Sequence, residues 1–101
     1  MSVRFTPEAR DQAEASDIWW RTHRDEARDM FARELLAAQE LVASTPSLGT
    51  FYTMLEETPV RRLLMPKTRH HIYYTLRREA DEDEVVILAV WGAPKAEGPF
   101  L

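Results

Sequence analysis

Apolar and polar residues alternate at the start of the chain, where Val3 and Phe5 are separated from each other by Arg4 and preceded by Ser2. A period of two predicts a short strand over Met1 to Phe5 with one apolar face. The period then lengthens to that of a helix. Thr6 is placed to cap, Pro7 suits the first helical position because its missing N–H would be unpaired there, and Glu8 favours the positive end of the helix dipole. The spacing predicts a first helix from about Pro7 to about His23. Ala9, Ala13, Ser16 and Trp20 share its inner face, and Trp19 lies beside them and widens the buried stripe. Arg24 and Asp25 form a break too short for anything but a hairpin of helices, with Asp25 as cap and Glu26 in the next first turn. From Ala27 onward Phe31, Leu35, Ala38 and Val42 mark a core-facing stripe, flanked by Met30, Leu36 and Leu41, until Thr45-Pro46 ends the helix.

After Gly49 the pattern turns strand-like. Val60 to Met65 reads as a strand with a basic start, followed by a turn at Pro66-Lys67-Thr68. Arg69 to Arg77 alternates, with His70, Ile72, Tyr74 and Leu76 on one face and Arg69, His71, Tyr73, Thr75 and Arg77 on the other. Ala80 to Asp83 reads as an acidic turn. Val85 to Trp91 is nearly continuous in apolar residues, as a strand covered on both faces requires. Prolines and glycines in the tail after Gly92 argue against another element. The predicted architecture is a single α+β domain over residues 1–101: a helical hairpin packed on a small antiparallel sheet, in the order β-α-α-β-β-β and in two layers.

With 101 residues and 45% hydrophobic content the chain can build one core, so a large partner must be a separate molecule. The absence of cysteine removes disulfides, thiolate chemistry and cysteine metal sites. Residues 1–10 lack the apolar run of an export signal, and no stretch approaches the ~20 apolar residues of a membrane span, so a cytoplasmic protein without a membrane partner is expected. The net charge of -4 conceals a segregation. Residues 1–58 carry six Arg against eleven acids, residues 59–78 carry five Arg and one Lys with no acid, and residues 79–101 carry one Lys against six acids. Such a basic block can attract phosphates or an acidic protein segment over a range of roughly 10 Å.

Other combinations suggest chemistry and then fail on geometry. His70 and His71 are neighbours on a strand, so their rings diverge, and His23 has no spaced carboxylate partner; no metal site and no cofactor are expected. Of Trp19 and Trp20, one must fill the core and only the other can be on show. Asp81 to Glu84 lacks the glycine and spacing of a calcium loop and reads as a solvated turn. There is no glycine-rich phosphate loop and no Ser-His-Asp arrangement.

Several stretches carry a resemblance. They are Val3-Arg4-Phe5-Thr6-Pro7-Glu8-Ala9; Ile18-Trp19-Trp20 with His23-Arg24; Pro46-Ser47-Leu48-Gly49; Arg61-Arg62-Leu63-Leu64; Thr68 to Tyr74; and Val85 to Trp91 with Lys95 and Gly98-Pro99 behind it. Together with the order of elements they resemble the RelE/ParE toxins of type II toxin-antitoxin systems, in particular the ParE-like branch, over essentially the whole chain. The resemblance implies a growth-arresting, plasmid-stabilising toxin held inactive by a cognate antitoxin, with operator DNA bound only through that antitoxin. Relatives divide between inhibition of DNA gyrase by binding and ribosome-dependent messenger RNA cleavage, and fold does not choose between them.

For cleavage, Arg61, Arg62, Arg69 and Lys95 would supply positive charge, and Tyr73 or His71 would stack a base or move a proton. Three features weigh against it. The chain is acidic, its ParE-like stretches favour the gyrase-directed branch, and its tail carries Phe100, without a hydroxyl, where RelE-like enzymes tend to place a Tyr. The preferred expectation is therefore a gyrase inhibitor with no chemistry of its own. Its target-binding candidates are Arg61, Arg62, Arg69, His71, Tyr73, Trp91 and Lys95, and its antitoxin-binding candidates are Trp19, Met30 and Arg77. The alternatives are an mRNA interferase and an inactive toxin-like protein that still binds an antitoxin.

Overall fold

Residues 1–79, 82–93 and 98–101 are described by the computed structural model. Strand β1 (Ser2–Phe5) leads into helix α1 (Pro7–His23), a short 3-10 turn (Asp25–Ala27) and helix α2 (Met30–Ser44); β2 (Thr50–Leu55), β3 (Thr58–Met65), β4 (His70–Glu79) and β5 (Glu82–Gly92) follow. The strands form one sheet in the order β1-β5-β4-β3-β2. Both helices lie on one face of it, so the α+β two-layer arrangement is as expected.

The start of α1 is fixed by its sequence. The Thr6 hydroxyl oxygen accepts the Ala9 N–H at 3.1 Å, and Pro7 takes the first helical position. The same region caps the sheet. β1 ends where Phe5 pairs with Ile87, leaving β5 an open edge beyond that point, and α1 covers it: Gln12 Oε1 accepts the Val90 N–H at 2.8 Å.

The sheet departs from expectation in two ways. Residues Thr50–Leu55 form an additional strand on its edge, and β1 runs parallel to β5, so the sheet is mixed instead of wholly antiparallel. The extra strand escaped a periodicity test because the pairing register with β3 shifts between Phe51 and Thr53, which breaks strict alternation. The β2–β3 turn holds Glu56 and Glu57 at φ 48° and 66°, the left-handed pair that a two-residue hairpin needs and that Asn-Gly usually supplies.

Three smaller expectations are corrected. Asp25 does not cap the second helix: it opens the 3-10 turn, and α2 starts at Met30 after Asp29, which makes no capping bond through its side chain. Arg69 belongs to the turn before β4, at φ 59°; of the predicted acidic turn, Glu82 and Asp83 lie within β5, and Ala80 and Asp81 lie outside the described residues. Trp19 does not widen the buried stripe; it is 43% exposed, while Trp20 packs against the core.

That core lies between the helices and the sheet. Ala9 from α1 and Phe31, Ala38 and Val42 from α2 meet Met65, Ile72, Tyr74, Val85, Ile87 and Val90. A second, smaller cluster of Val60, Tyr73 and Ala89, flanked by Tyr52, Leu55, Leu88 and Trp91, occupies the opposite face. A register shift at the β4–β5 pairing, where Tyr73 faces Ala89 but Tyr74 faces Ile87, leaves Leu88 as the extra residue. This bulge lets Leu88 and Ala89 both serve the second cluster before Val90 returns to the first.

Candidate functional site

The face of the sheet away from the helices gathers four of the seven target-binding candidates, Arg62, His71, Tyr73 and Trp91. Alternation along β4 sends Tyr74 and Ile72 to the helical side, which leaves His71, Tyr73 and Thr75 on the other. On this face Arg62 of β3 pairs in register with Tyr73, and Trp91 of β5 with His71. The Arg62 guanidinium lies 5.4 Å from the centre of the Tyr52 ring; Tyr52 meets Tyr73 edge to face at 4.8 Å, and Tyr73 meets His71 at 5.9 Å. One cation and a row of aromatic rings thus form a continuous ledge.

The chain's last residues close over one end of it. Gly98 sits so near Tyr52 that a Cβ would overlap the phenol oxygen, and Pro99 is buried. Tyr73 is only 2% exposed, packed among Val60, Ala89, Tyr52, Leu55, Leu88 and Trp91. Burial, and then the neighbouring Arg62 charge, hold the His71 imidazole below its ordinary pKa, so it stands neutral at neutral pH. A neutral imidazole beside a guanidinium can accept a proton next to a bound anion. A partner acid is harder to find, since the Tyr73 phenol in the same row is buried.

Other candidates are dispersed. Arg61 is on the helical side, where its Nη1 donates to the Gly49 carbonyl at 2.8 Å. Arg69 lies in the exposed β3–β4 turn, with its carbonyl accepting the Ala93 N–H at 2.7 Å. Lys95 lies outside the described residues. Trp19 stacks on His23 at 4.6 Å near the end of α1, Met30 is half-buried at the start of α2, and Arg77 is exposed opposite Glu84 on the sheet. His70 and His71 diverge: the His70 ring hydrogen-bonds the Thr68 carbonyl at 2.9 Å and the Ser16 hydroxyl at 3.1 Å on the helical side. Tyr52 was missed because its strand was missed; the β-favouring Thr-Phe-Tyr-Thr run was the available signal.

No protein-family model matches the chain, and no curated protein matches it. Solved structures do. One, the chromosomal ParDE TA system from P. aeruginosa, superposes with a TM-score of 0.65 at 15% identity over 91% of this chain and 95% of that one. Another, the YoeB/ParE toxin from Agrobacterium tumefaciens, gives a TM-score of 0.56 at 16% identity over 91% of this chain and 98% of its own. At such identities the shared property is the fold, and the chain has the RelE/ParE-like toxin fold over the 91% of its length that superposes.

Proposed function

We propose that the chain is the toxin of a type II toxin-antitoxin pair, neutralised by a cognate antitoxin, and that it arrests growth by binding DNA gyrase. The toxin role rests on the fold it shares with ParDE and YoeB/ParE proteins along almost its whole length. One observation favours binding over chemistry: the ledge of Arg62, Tyr52, Tyr73 and His71 offers aromatic surface and charge, but its central phenol is 2% exposed and cannot reach a substrate. Trp91 extends that ledge on the next strand. Trp19, Met30 and Arg77 remain the antitoxin-contacting residues, and operator DNA is reached only through the antitoxin. Among the described residues no helix is long and apolar enough to cross a membrane, and a gyrase-directed toxin acts in the cytoplasm.

Ribosome-dependent cleavage of messenger RNA is the competing role, and it has its own support in the neutral His71 imidazole next to Arg62. Controlled expression in bacteria lacking an antitoxin separates the two. We expect arrest with disturbed supercoiling and intact transcripts, reversed by gyrase overproduction. Transcripts cut at ribosomes would replace gyrase inhibition with nuclease activity, and unimpeded growth would remove the toxin role altogether.

A further inference from the structure

Strand β2 is an edge of the sheet, with β3 as its only strand neighbour, and no residue of it joins the core beneath the helices. The unpaired N–H and C=O groups of an edge invite another strand, so edges are blunted by brevity, charge, proline or a bulge that twists them away. The opposite edge follows that rule, since β1 is four residues long and carries Arg4. β2 does so only through its bulge. Thr50–Leu55 holds no charge and no proline, and two of its apolar side chains are bare, Phe51 at 58% and Met54 at 53% exposure.

The register with β3 decides what this edge offers. Met54 stands opposite Pro59 and Phe51 opposite Arg61. The Pro59 carbonyl is turned toward β4, where it accepts the Thr75 hydroxyl at 3.0 Å. Alternation along β3 therefore points the backbone groups of Thr58, Val60 and Arg62 at β2 and those of Pro59 and Arg61 away from it. Met54 and Phe51 thus make no ladder bonds to β3, and their N–H and C=O groups face outward. The extra residue at Tyr52 also puts Phe51 and Met54 on one face, the helical side that Arg61 shares, where strict alternation would part them.

Charge of opposite sign marks the two ends of the edge. The turn after β2 carries Glu56 and Glu57, both exposed. At the start of β2 the Arg61 guanidinium reaches the Gly49 carbonyl at 2.8 Å. Among the described residues no ion pair engages Glu56, Glu57 or Arg61.

We infer that two copies of the chain join through this edge, β2 against β2 in antiparallel pairing about a twofold axis, so that one sheet runs through both. Such a pairing brings the end of each strand beside the start of the other. Phe51 then faces the partner's Met54 and Met54 the partner's Phe51, so outward backbone groups meet outward groups and an aromatic ring meets a thioether twice on one face. The same operation sets each Glu56-Glu57 turn beside the partner's Arg61. A foreign strand could use the same backbone groups, but an edge that is acidic at one end and cationic at the other is complementary to itself reversed, and this selects a second copy. The pairing does not rest on the toxin reading. It uses neither the side chains of the ledge nor Trp19, Met30 or Arg77, and it leaves both ledges on the same face of the shared sheet.

Sedimentation velocity of the purified chain over a ~100-fold range of concentration tests the pairing without any growth readout. The expected result is a monomer–dimer equilibrium that weakens as salt rises, because the ion pairs between the copies are exposed. Hydrogen exchange at the Phe51 and Met54 amides should slow at the highest concentration. Met54→Lys puts a charge on an exposed edge position and should weaken the dimer about tenfold or more with an unchanged circular dichroism spectrum. Glu56→Lys with Glu57→Lys should weaken it by about as much, by setting two lysines against the partner's Arg61. Adding Arg61→Glu to that pair should restore the dimer, which a merely misfolded turn would not allow. A monomer at every concentration would overturn the proposal, as would a dimer that Met54→Lys and the turn variants leave unchanged. Slowed exchange in β2 that appears only when an antitoxin is added, without self-association, would overturn it too and assign the edge to that partner.

Discussion

Glu34 and Thr68 are joined twice: the Thr68 N–H donates to Glu34 Oε1 at 2.9 Å, and the Thr68 hydroxyl donates to the same oxygen at 2.7 Å. The other carboxylate oxygen takes the Lys67 N–H at 2.8 Å. A charge on the first half of α2 therefore holds the β3–β4 turn, and through it the position where β4 begins. That matters for both faces of the molecule, because β4 carries His70 toward the helices and His71 toward the open ledge.

Removal of this carboxylate should loosen the turn. Bonds to a charged acceptor contribute about 1.5–3 kcal/mol each and are not additive within one cluster, so Glu34→Ala is expected to cost roughly 2–4 kcal/mol. Glu34→Gln keeps one acceptor oxygen and should fall between. Urea unfolding with an unchanged m-value measures the loss; a change below half a kcal/mol in Glu34→Ala would show that the turn is held by other means.

How far the sequence could be read depended on whether a local rule was left undisturbed. The α1 boundaries follow from Thr6, Pro7 and the spacing of Ala9, Ala13 and Trp20, all short-range signals. β2 was lost because its register shift hides alternation, and the parallel β1–β5 pair was lost because pairing partners as far apart as Ser2 and Glu84 leave no mark in a local pattern. At the candidate site, alternation alone sorted His71 and Tyr73 from His70 and Tyr74. It could not place Arg61 behind the sheet, because that needs the register of β3 against β4, nor bring in Tyr52, which reaches Tyr73 only across two strand pairings.

The His71 environment has a consequence for pH. Burial first, and then Arg62, lower its pKa in the folded chain. Below about 6.5 the unfolded chain therefore takes up a proton that the folded chain resists, so the unfolded state binds more protons and stability falls as pH drops toward the folded midpoint. An NMR titration should place the His71 midpoint below that of an unstructured histidine. Arg62→Gln should raise it only in part, since burial is the larger cause, and a full return to the ordinary value would reverse that ranking.

Tyr74 closes the other end of the sheet. Its hydroxyl donates to the Pro46 carbonyl at 2.7 Å and accepts the Gly49 N–H at 2.9 Å, tying the loop after α2 to β4. Tyr74→Phe leaves both groups without this partner and should cost about 1–3 kcal/mol. Gly49→Ala should cost at least as much, because its Cβ would stand 2.7 Å from the Tyr74 oxygen and 2.8 Å from the Arg62 carbonyl, and the second of these is backbone. Burial raises the Tyr74 pKa, more than Gly49 and Arg61 lower it. The folded chain thus holds a proton that the unfolded chain releases above about 10, and stability should decline as pH rises past that value. Tyr74→Phe should flatten that decline; an equal slope in both proteins would assign it elsewhere.

Target binding and antitoxin binding should separate genetically at every candidate but Arg77, which alternation along β4 puts on the ledge face. If gyrase is engaged by the ledge and the antitoxin by the residues at Trp19, Met30 and Arg77, then Arg62→Ala and Trp91→Ala should abolish growth arrest while antitoxin affinity in a pull-down or calorimetric titration stays within a few-fold of the parent. Trp19→Ala should do the reverse, leaving a protein that arrests growth and is poorly neutralised. Trp19 suits that comparison because it is 43% exposed and its loss removes little of the core. The tail supplies a third variant: Gly98→Val should part the last residues from the Tyr52 ring, whichever of the two gives way, because its Cβ would overlap the phenol oxygen. Arrest weakened by Gly98→Val would make the seated tail part of the target surface. Full arrest in Gly98→Val, Arg62→Ala and Trp91→Ala together would mean that gyrase is bound elsewhere on the fold.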